Sequence, residues 1–295
     1  MTGSRRFVFI TMLLGVFMGA LDQGIISPAL TSITADLRLD PRWSVWTVTI
    51  YTLAYAMSMP LMGKLSDRYG RRAIFLVGIA LFGLGSAGAA LSTNLTMLLA
   101  SRALQAVGGG GIFPVATAEI GRAFPRERRG AALGLLGAVF GVASVVAPNV
   151  GGFIIERASW HWIFWINVPI SAVIILMALR MESHREGTSA PLDVPGTILL
   201  SGAILALMYG ITTLDPAEPW LGLPQWSTGG FIALGLLLLV PFALVESRAG
   251  DPVIEPAFFR NRQLVLAYGV SFFSGILLMS VVFVPAFAEL VLGLG

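Results

Sequence analysis

Long apolar stretches separated by short polar segments dominate the chain. A helix needs about 20 predominantly apolar residues to cross a bilayer core of roughly 30 Å, because its backbone groups must be satisfied within the segment. Nine stretches meet this requirement: Phe7 to Leu30, Trp43 to Met62, Ala73 to Leu91, Leu95 to Ala118, Ala131 to Ile155, Trp162 to Leu179, Gly196 to Thr213, Gly229 to Val245 and Leu264 to Ala288. The pattern predicts an all-α, polytopic transmembrane bundle with about nine spans.

The composition agrees with a membrane environment. Apolar residues make up 56% of the 295 positions and charged residues only 12%, whereas soluble domains carry about 25% charge. The chain has no cysteine, which excludes thiol nucleophiles and thiolate metal sites. Its net charge is +3, but the sequence has no long basic run. We therefore expect the protein to lie in the lipid bilayer and to bind no nucleic acid. We expect no metal and no cofactor.

The basic residues predict the orientation. If the N-terminus is cytoplasmic, only Arg38, Arg42 and Arg157 of the 19 basic residues fall in outer loops, and Arg102 falls within a span. All the others lie in inner segments, as the positive-inside rule requires. We therefore expect a multi-pass protein of the cell membrane with its N-terminus inside. The first apolar run contains Asp22 and is too long for a signal peptide, so it is interpreted as a retained span.

The segment joining the second and third spans reads GKLSDRYGRR at positions 63–72. A generic positive-inside loop would not require its glycine and aspartate spacing; we expect a tight cytoplasmic turn. The segment matches GxLxDRxGRR, the signature of the major facilitator superfamily, which the chain therefore resembles. The resemblance implies transport of small molecules and a conformational latch between two helical halves, formed by Gly63, Asp67, Arg68, Gly70, Arg71 and Arg72.

Four further segments resemble the fourteen-helix drug:proton antiporter branch of that family. LDQGII at 21–26 is similar to LDxTIV, with Gly24 in place of threonine, and RALQAVG at 102–108 is similar to RxxQGxG, with Ala106 in place of glycine. APNVGG at 147–152 resembles the helix-five antiporter motif GPxxGG, and WHWIFWINVP at 160–169 resembles WRWIFxINxP, with His161 in place of arginine. The antiporter motif implies a role for Ala147, Pro148, Gly151 and Gly152.

Two halves related by an internal repeat are expected for such a protein. Positions 6–19 and 262–275 share their spacing of arginine, phenylalanine and glycine. We therefore expect an N-terminal six-helix half at 1–180, two additional helices with cytoplasmic linkers at 181–259, and the first helix of an incomplete C-terminal half at 260–295. The missing C-terminal half would be a partner, and a truncated, non-transporting remnant stays an alternative.

Asp22 and Arg102 are the charges predicted to lie deepest in the membrane. Asp22 lies roughly 23 Å from the inner end of the first helix and Arg102 roughly 10 Å from the outer end of the fourth, at 1.5 Å per residue. We expect them to face one another or a shared cavity, with Gln105 one turn below Arg102, and to couple transport to protons. The alternatives are a helix–helix hydrogen bond for Asp22 and a snorkelling anchor for Arg102.

Three other features have a structural interpretation. Gly108 to Gly111 lack the lysine and hydroxyl residue of a phosphate loop and predict close helix packing. Glu119 is expected to form an interfacial ion pair with Arg122. Trp160, Trp162 and Trp165 are expected to form an interfacial belt first and a cargo surface second.

The hypothesis with most support is a proton-coupled exporter of small lipophilic or cationic compounds, of the multidrug efflux type, that works by alternating access. The alternative within transporters is a proton symporter for a small metabolite. A membrane enzyme is disfavoured because the two histidines, His161 and His184, fall at loop edges and no HExxH or GxSxG motif occurs.

Overall fold

The computed structural model describes residues 3–181, 193–214 and 219–275. The described part of the chain consists of helices joined by turns and contains no strand. The helices are α1 (Gly3–Ile25), α2 (Leu30–Asp36), α3 (Pro41–Ser44), α4 (Trp46–Tyr69), α5 (Arg71–Ala90), α6 (Leu95–Ala123), α7 (Arg126–Arg157), α8 (His161–Trp165), α9 (Asn167–Leu179), α10 (Val194–Thr212), α11 (Pro219–Gly222), α12 (Phe231–Glu246) and α13 (262–275).

Six of the described helical stretches are long and apolar enough to cross a membrane: Arg6–Asp36, Arg71–Ala90, Arg126–Arg157, His161–Leu179, Val194–Thr212 and Trp226–Glu246. α4 and α6 are more polar, but they have 24 and 29 residues and pack among these six. The predicted all-α membrane bundle is thereby confirmed. The ninth predicted span lies largely outside the described residues, and the three-part domain division stays a prediction.

Two predicted spans are broken where proline interrupts the helix. The first was expected to end at Leu30, but α1 ends at Ile25, a 3-10 turn follows at Ser27–Ala29, and α2 continues to Asp36. Pro28 lies in that turn, and its ring and missing N–H do not fit an uninterrupted helix. The sixth span is divided into α8 and α9 at Ile166, three residues before Pro169.

α6 occupies the centre of the bundle and packs most extensively against α5 and α4. Close approach requires small residues, because a β-carbon at Gly108 would collide with the Gly78 carbonyl of α5, and one at Gly110 with Ser58 of α4. Backbone contact at glycines is typical of helix pairs in membranes. The packing interpretation of Gly108 to Gly111 is thereby confirmed.

The two additional helices pack against each other and against the first six spans. α10 contacts α12 and also α4. At one end of this contact, the rings of Trp46 and Tyr209 lie 6.0 Å apart. At the other end, Lys64 of α4 forms an ion pair with Asp251, which follows α12.

The segment at 63–72 is largely helical, which corrects the expected loop. Positions 63 to 69 form the last turns of α4, Gly70 alone makes the turn, and Arg71 begins α5. Gly70 has φ 94° and ψ 137°, a conformation that only glycine adopts without strain. The end of the bundle at which Gly70 joins α4 to α5 is called the signature end below.

Gly70→Ala should lower the free energy of unfolding by about 1–3 kcal/mol, because the new β-carbon would be forced into a disfavoured backbone region. Gly63→Ala is the matched control, since a β-carbon there meets nothing within 4 Å and alanine favours the helix. Unfolding of both variants in detergent, followed by circular dichroism, would measure the difference. Equal stability of the two variants would contradict the backbone assignment.

Candidate functional site

Asp22 of α1 and Arg102 of α6 form an ion pair in the interior of the bundle. Arg102 Nη1 lies 2.7 Å from Asp22 Oδ2, and the two side chains are 1% and 0% exposed. The guanidinium group points into the bundle rather than toward an outer headgroup layer, so the snorkelling alternative for Arg102 is wrong. The expected proximity of these two residues is what the structure shows.

Gln105 and Asn167 complete the hydrogen bonding of Asp22. Gln105 Nε2 and Asn167 Nδ2 each donate to Asp22 Oδ1 at 2.8 Å. Gln105 Oε1 in turn accepts a bond of 2.7 Å from Arg102 Nη1. Both oxygens of Asp22 therefore accept hydrogen bonds from side-chain donors of other helices.

Ser86 of α5 connects the two amide side chains. Its Oγ accepts from Gln105 at 3.2 Å and from Asn167 at 3.1 Å, and it donates to the Phe164 carbonyl at 2.9 Å. Ser86 and Asn167 are fully buried. The five residues Asp22, Ser86, Arg102, Gln105 and Asn167 are called the polar network below; it joins α1, α5, α6 and the α8–α9 junction.

Aromatic rings cover the cationic side of the polar network. The Tyr51 ring of α4 lies 4.0 Å from Arg102 Cζ, and the Phe164 ring lies 5.5 Å from it. Tyr51 stacks on Tyr55 with a centroid distance of 5.8 Å. Such rings stabilise a buried cation, and their faces suit other cations as well. Arg102 Nε and Asn167 Oδ1 are buried without a hydrogen-bond partner in the described part of the chain.

Sequence reasoning missed Ser86, Asn167 and Tyr51. Asn167 belongs to the INVP sequence at 166–169, which was used only as a family marker. It begins α9 directly after the break at Ile166, and a polar residue at a helix break within an apolar run is a signal that could have identified it. Ser86 and Tyr51 carry no comparable signal, because isolated hydroxyl groups are common in such helices.

At the signature end, arginines bind the ends of neighbouring helices. Arg72 donates from Nε to the Ala178 carbonyl at 3.1 Å and from Nη2 to the Leu179 carbonyl at 2.5 Å. These carbonyls belong to the last turn of α9, where a cation is favoured. Asp67 is exposed, and Arg68 lies over the Tyr69 ring at 5.8 Å.

Glu119 near the end of α6 pairs with two arginines. Arg122 Nη2 lies 2.9 Å from Glu119 Oε1, and Arg71 Nη1 lies 3.6 Å from Glu119 Oε2. The predicted pair with Arg122 is present, and Arg71 is an additional partner. In this structure Arg71 and Arg72 thus contact helices of the first six spans, and a latch between two halves stays a prediction.

Comparisons with known proteins agree on one family. The family model for the Major Facilitator Superfamily matches residues 12–295. The chain belongs to the major facilitator superfamily. It is therefore a multi-pass membrane protein of a transporter family rather than of an enzyme family.

Three Bacillus subtilis proteins illustrate the similarity. The chain is 42% identical to the uncharacterized MFS-type transporter YfiU, 35% identical to multidrug resistance protein 3 and 31% identical to the multidrug transporter protein MdtP. Each match covers 98% of this chain but 57%, 56% and 53% of the relative, respectively. The chain thus spans little more than half the length of these major facilitator proteins.

The helix-five motif of this chain lies on α7 and packs against the end of α1. Ala147 is fully buried opposite Gly24, and a β-carbon at Gly24 would stand 2.7 Å from the Ala147 methyl group. A β-carbon at Gly151 would lie 2.8 Å from the Ile25 carbonyl. Pro148 lies at the same contact between α1 and α7, called the seam below, whereas Gly152 has open space at its β position.

Two of the departures from the family motifs, at Gly24 and Ala147, therefore meet in space. The family pattern places threonine where Gly24 stands and glycine where Ala147 stands, whereas this chain has the smaller residue on α1 and the larger on α7. Close packing requires one of the two positions to lack a side chain. The exchange keeps α1 and α7 in contact.

Trp160 and Trp162 lie in different environments, which corrects the expected interfacial belt of tryptophans. Trp160 is only 3% exposed, donates from Nε1 to Asp36 at 2.9 Å and stacks on His161 at 3.7 Å. It is buried because the chain turns back onto α2 at this point. Trp162 is 59% exposed and suits a membrane interface.

Gly24→Ala should destabilise the protein by about 1–3 kcal/mol, because the added methyl group overfills the seam with α7. Adding Ala147→Gly in the same chain should restore most of the loss. Gly19→Ala is the control on the same helix, since its β-carbon would meet nothing within 4 Å. Thermal unfolding in detergent measures all three; a double variant no more stable than Gly24→Ala would show that the two positions do not compensate.

Proposed function

We propose that the chain forms the N-terminal part of a proton-coupled exporter of small lipophilic or cationic compounds, in the fourteen-helix drug:proton antiporter branch. The observation that carries this proposal is the buried ion pair of Asp22 and Arg102, together with the amide and hydroxyl groups of the polar network around it. The two relatives whose names include "multidrug" support the cargo class.

Protonation of Asp22 is the proposed switch. In the ionised state, Asp22 accepts bonds from α6 and α9 and so holds α1 against them. A proton on either carboxylate oxygen removes an acceptor position and the negative charge, which leaves Arg102 uncompensated. The helices then separate toward the other access state, and release of the proton on the other side resets the network.

Competition between cargo and proton follows from the same groups. A cationic compound can replace Arg102 as the partner of Asp22 and can use the face of Tyr51, over which Arg102 lies at 4.0 Å. Uptake of a proton by Asp22 would then expel it. A membrane potential contributes about 2.3 kcal/mol per charge per 100 mV to such a cycle.

A second helical half is part of the proposal. The relatives are longer than this chain, and we propose that transport requires additional helices that close the cavity opposite α1 and α7. Many side chains of α7 are exposed on the outside of the described bundle, among them Val142, Val145 and Phe153. These apolar surfaces would contact that half or lipid. The latch function of Asp67 and Arg68 would operate against the same partner.

Asp22→Asn should abolish proton-driven efflux, because the amide has the shape of the carboxylate but cannot take up the proton. Ethidium transport in inverted vesicles from cells that express this chain together with the proposed second helical half, after an imposed pH jump, should fall at least about tenfold, because proton transfer by a positioned side chain contributes on the order of 10² or more. Asp36→Asn is the control, since this acid lies at the end of α2 and bonds Trp160. Unchanged pH-driven flux in Asp22→Asn would disprove the mechanism, and pH-driven flux in the opposite direction would favour a symporter.

The proposed orientation has the N-terminus in the cytoplasm of the cell membrane. Since the natural sequence contains no cysteine, single cysteines can report sidedness. Leu91→Cys, after α5, should react with an impermeant maleimide added to intact cells, whereas Arg128→Cys, near the start of α7, should react only after permeabilisation. Both positions are exposed in the bundle. The reverse labelling pattern would show that the N-terminus lies outside the cell.

A further inference from the structure

Two acidic residues lie buried at the signature end of the additional helix pair. Asp193 immediately precedes α10, and Glu246 is the last residue of α12. They are only 7% and 3% exposed. Neither residue belongs to the polar network or to the family motifs, and the transport mechanism above does not use them.

The two carboxyl groups face each other above Gly196. A β-carbon built at Gly196 would lie 2.9 Å from Glu246 Oε1 and still closer to Asp193 Oδ2. Both oxygens therefore lie within collision distance of the position that a methyl group at residue 196 would take. The pairing depends on a glycine at the first turn of α10.

Both carboxyl groups also accept hydrogen bonds from the backbone. Asp193 Oδ1 caps α10 by accepting from the Gly196 amide at 2.9 Å. Glu246 accepts from the amides of Val253 at 3.1 Å and Ile254 at 3.3 Å. Asp193 Oδ2 is the buried oxygen of this group that has no hydrogen-bond partner in the described part of the chain.

The charged groups facing the pair are Lys64 of α4 and Asp251 of the segment after α12. Lys64 Nζ binds Asp251 Oδ1 at 2.5 Å and the Pro252 carbonyl at 2.8 Å. Its charge is therefore matched by Asp251. Two ionised carboxylates would then be left close together inside the protein, an arrangement that is unfavourable when the groups are shielded from water.

We propose that Asp193 and Glu246 bind one proton between them, as a site separate from Asp22. The proton is shared between Asp193 Oδ2 and Glu246 Oε1. This assignment supplies a partner for the unpartnered oxygen, removes one of the two like charges and leaves Glu246 as the acceptor of the two backbone amides. The proton comes from the aqueous phase and returns to it, so no other reactant is involved.

The proton would hold the additional helices to the signature segment. Glu246 fixes the backbone of Val253 and Ile254, and that backbone places Asp251 beside Lys64. Loss of the proton would drive the Asp193 and Glu246 carboxylates apart and release this connection. The site therefore makes the contact between α4 and the segment after α12 sensitive to pH at the signature end.

Infrared difference spectroscopy between neutral and alkaline pH tests the proposal. The protein should show the C=O band of a protonated carboxyl group that disappears at high pH. Asp193→Asn and Glu246→Gln should each remove the whole band assigned to the pair. The double variant should remove no more than either single variant, because the two residues share one proton.

Two further variants make the test specific. Asp251→Asn, the matched control, removes a neighbouring acid outside the pair and should keep the band. Gly196→Ala retains both acids but inserts a methyl group between them, and it should also abolish the band or shift its pH dependence by at least one unit. Circular dichroism would confirm that each variant keeps its helix content.

Several results would overturn the proposal. A band that persists in Asp193→Asn or Glu246→Gln would place the proton elsewhere. Separate losses that add in the double variant would indicate two independent carboxyl groups. Loss of the band in Asp251→Asn with retention in the other variants would assign it to Asp251.

Discussion

The buried ion pair between Asp22 and Arg102 constrains the rest of the bundle. An isolated charge at this depth is costly, and removing one member of a buried pair typically costs about 3–5 kcal/mol. The surrounding helices therefore have to supply compensating groups: Gln105 from α6, Asn167 from α9 and Ser86 from α5. Since each group bonds more than one partner, none of these helices can shift alone without leaving a buried polar atom unsatisfied.

The polar network divides the apolar interior. One cluster, which includes Met18, Phe75 and Ile112, lies toward the signature end, and another, which includes Ile25, Leu98 and Trp160, lies beyond the network. Packing within each cluster is non-directional and tolerates small displacements, whereas the hydrogen bonds of the network require defined positions. Helices joined by the network are therefore held in defined positions relative to one another, more strictly than packing within either cluster requires.

The sequence predicted most of the helices and the central ion pair, because both follow from strong physical rules. Apolar length identified the spans, and the cost of an isolated charge paired Asp22 with Arg102. The breaks at Pro28 and before Asn167 were missed because apolar runs continue through them. The helical signature segment was mistaken for a loop because its charges obscure the helix, which only Gly70 ends. Burial of Trp160 could not be predicted, since it depends on the position of Asp36 on a different helix.

The meeting of Gly24 with Ala147 has a consequence for how such chains are compared. A motif recorded one helix at a time counts two mismatches here, although in both patterns one position with a side chain faces one glycine at the crossing. The glycine at position 24 alone would leave a hole at the crossing, and the alanine at position 147 alone would cause a collision. Together the two changes restore the fit. Resemblance to the antiporter branch is therefore better judged from pairs of facing positions than from single positions of a motif. A sequence with alanine at the helix-five position should be examined for a glycine at the facing position of the first helix before its resemblance is rejected.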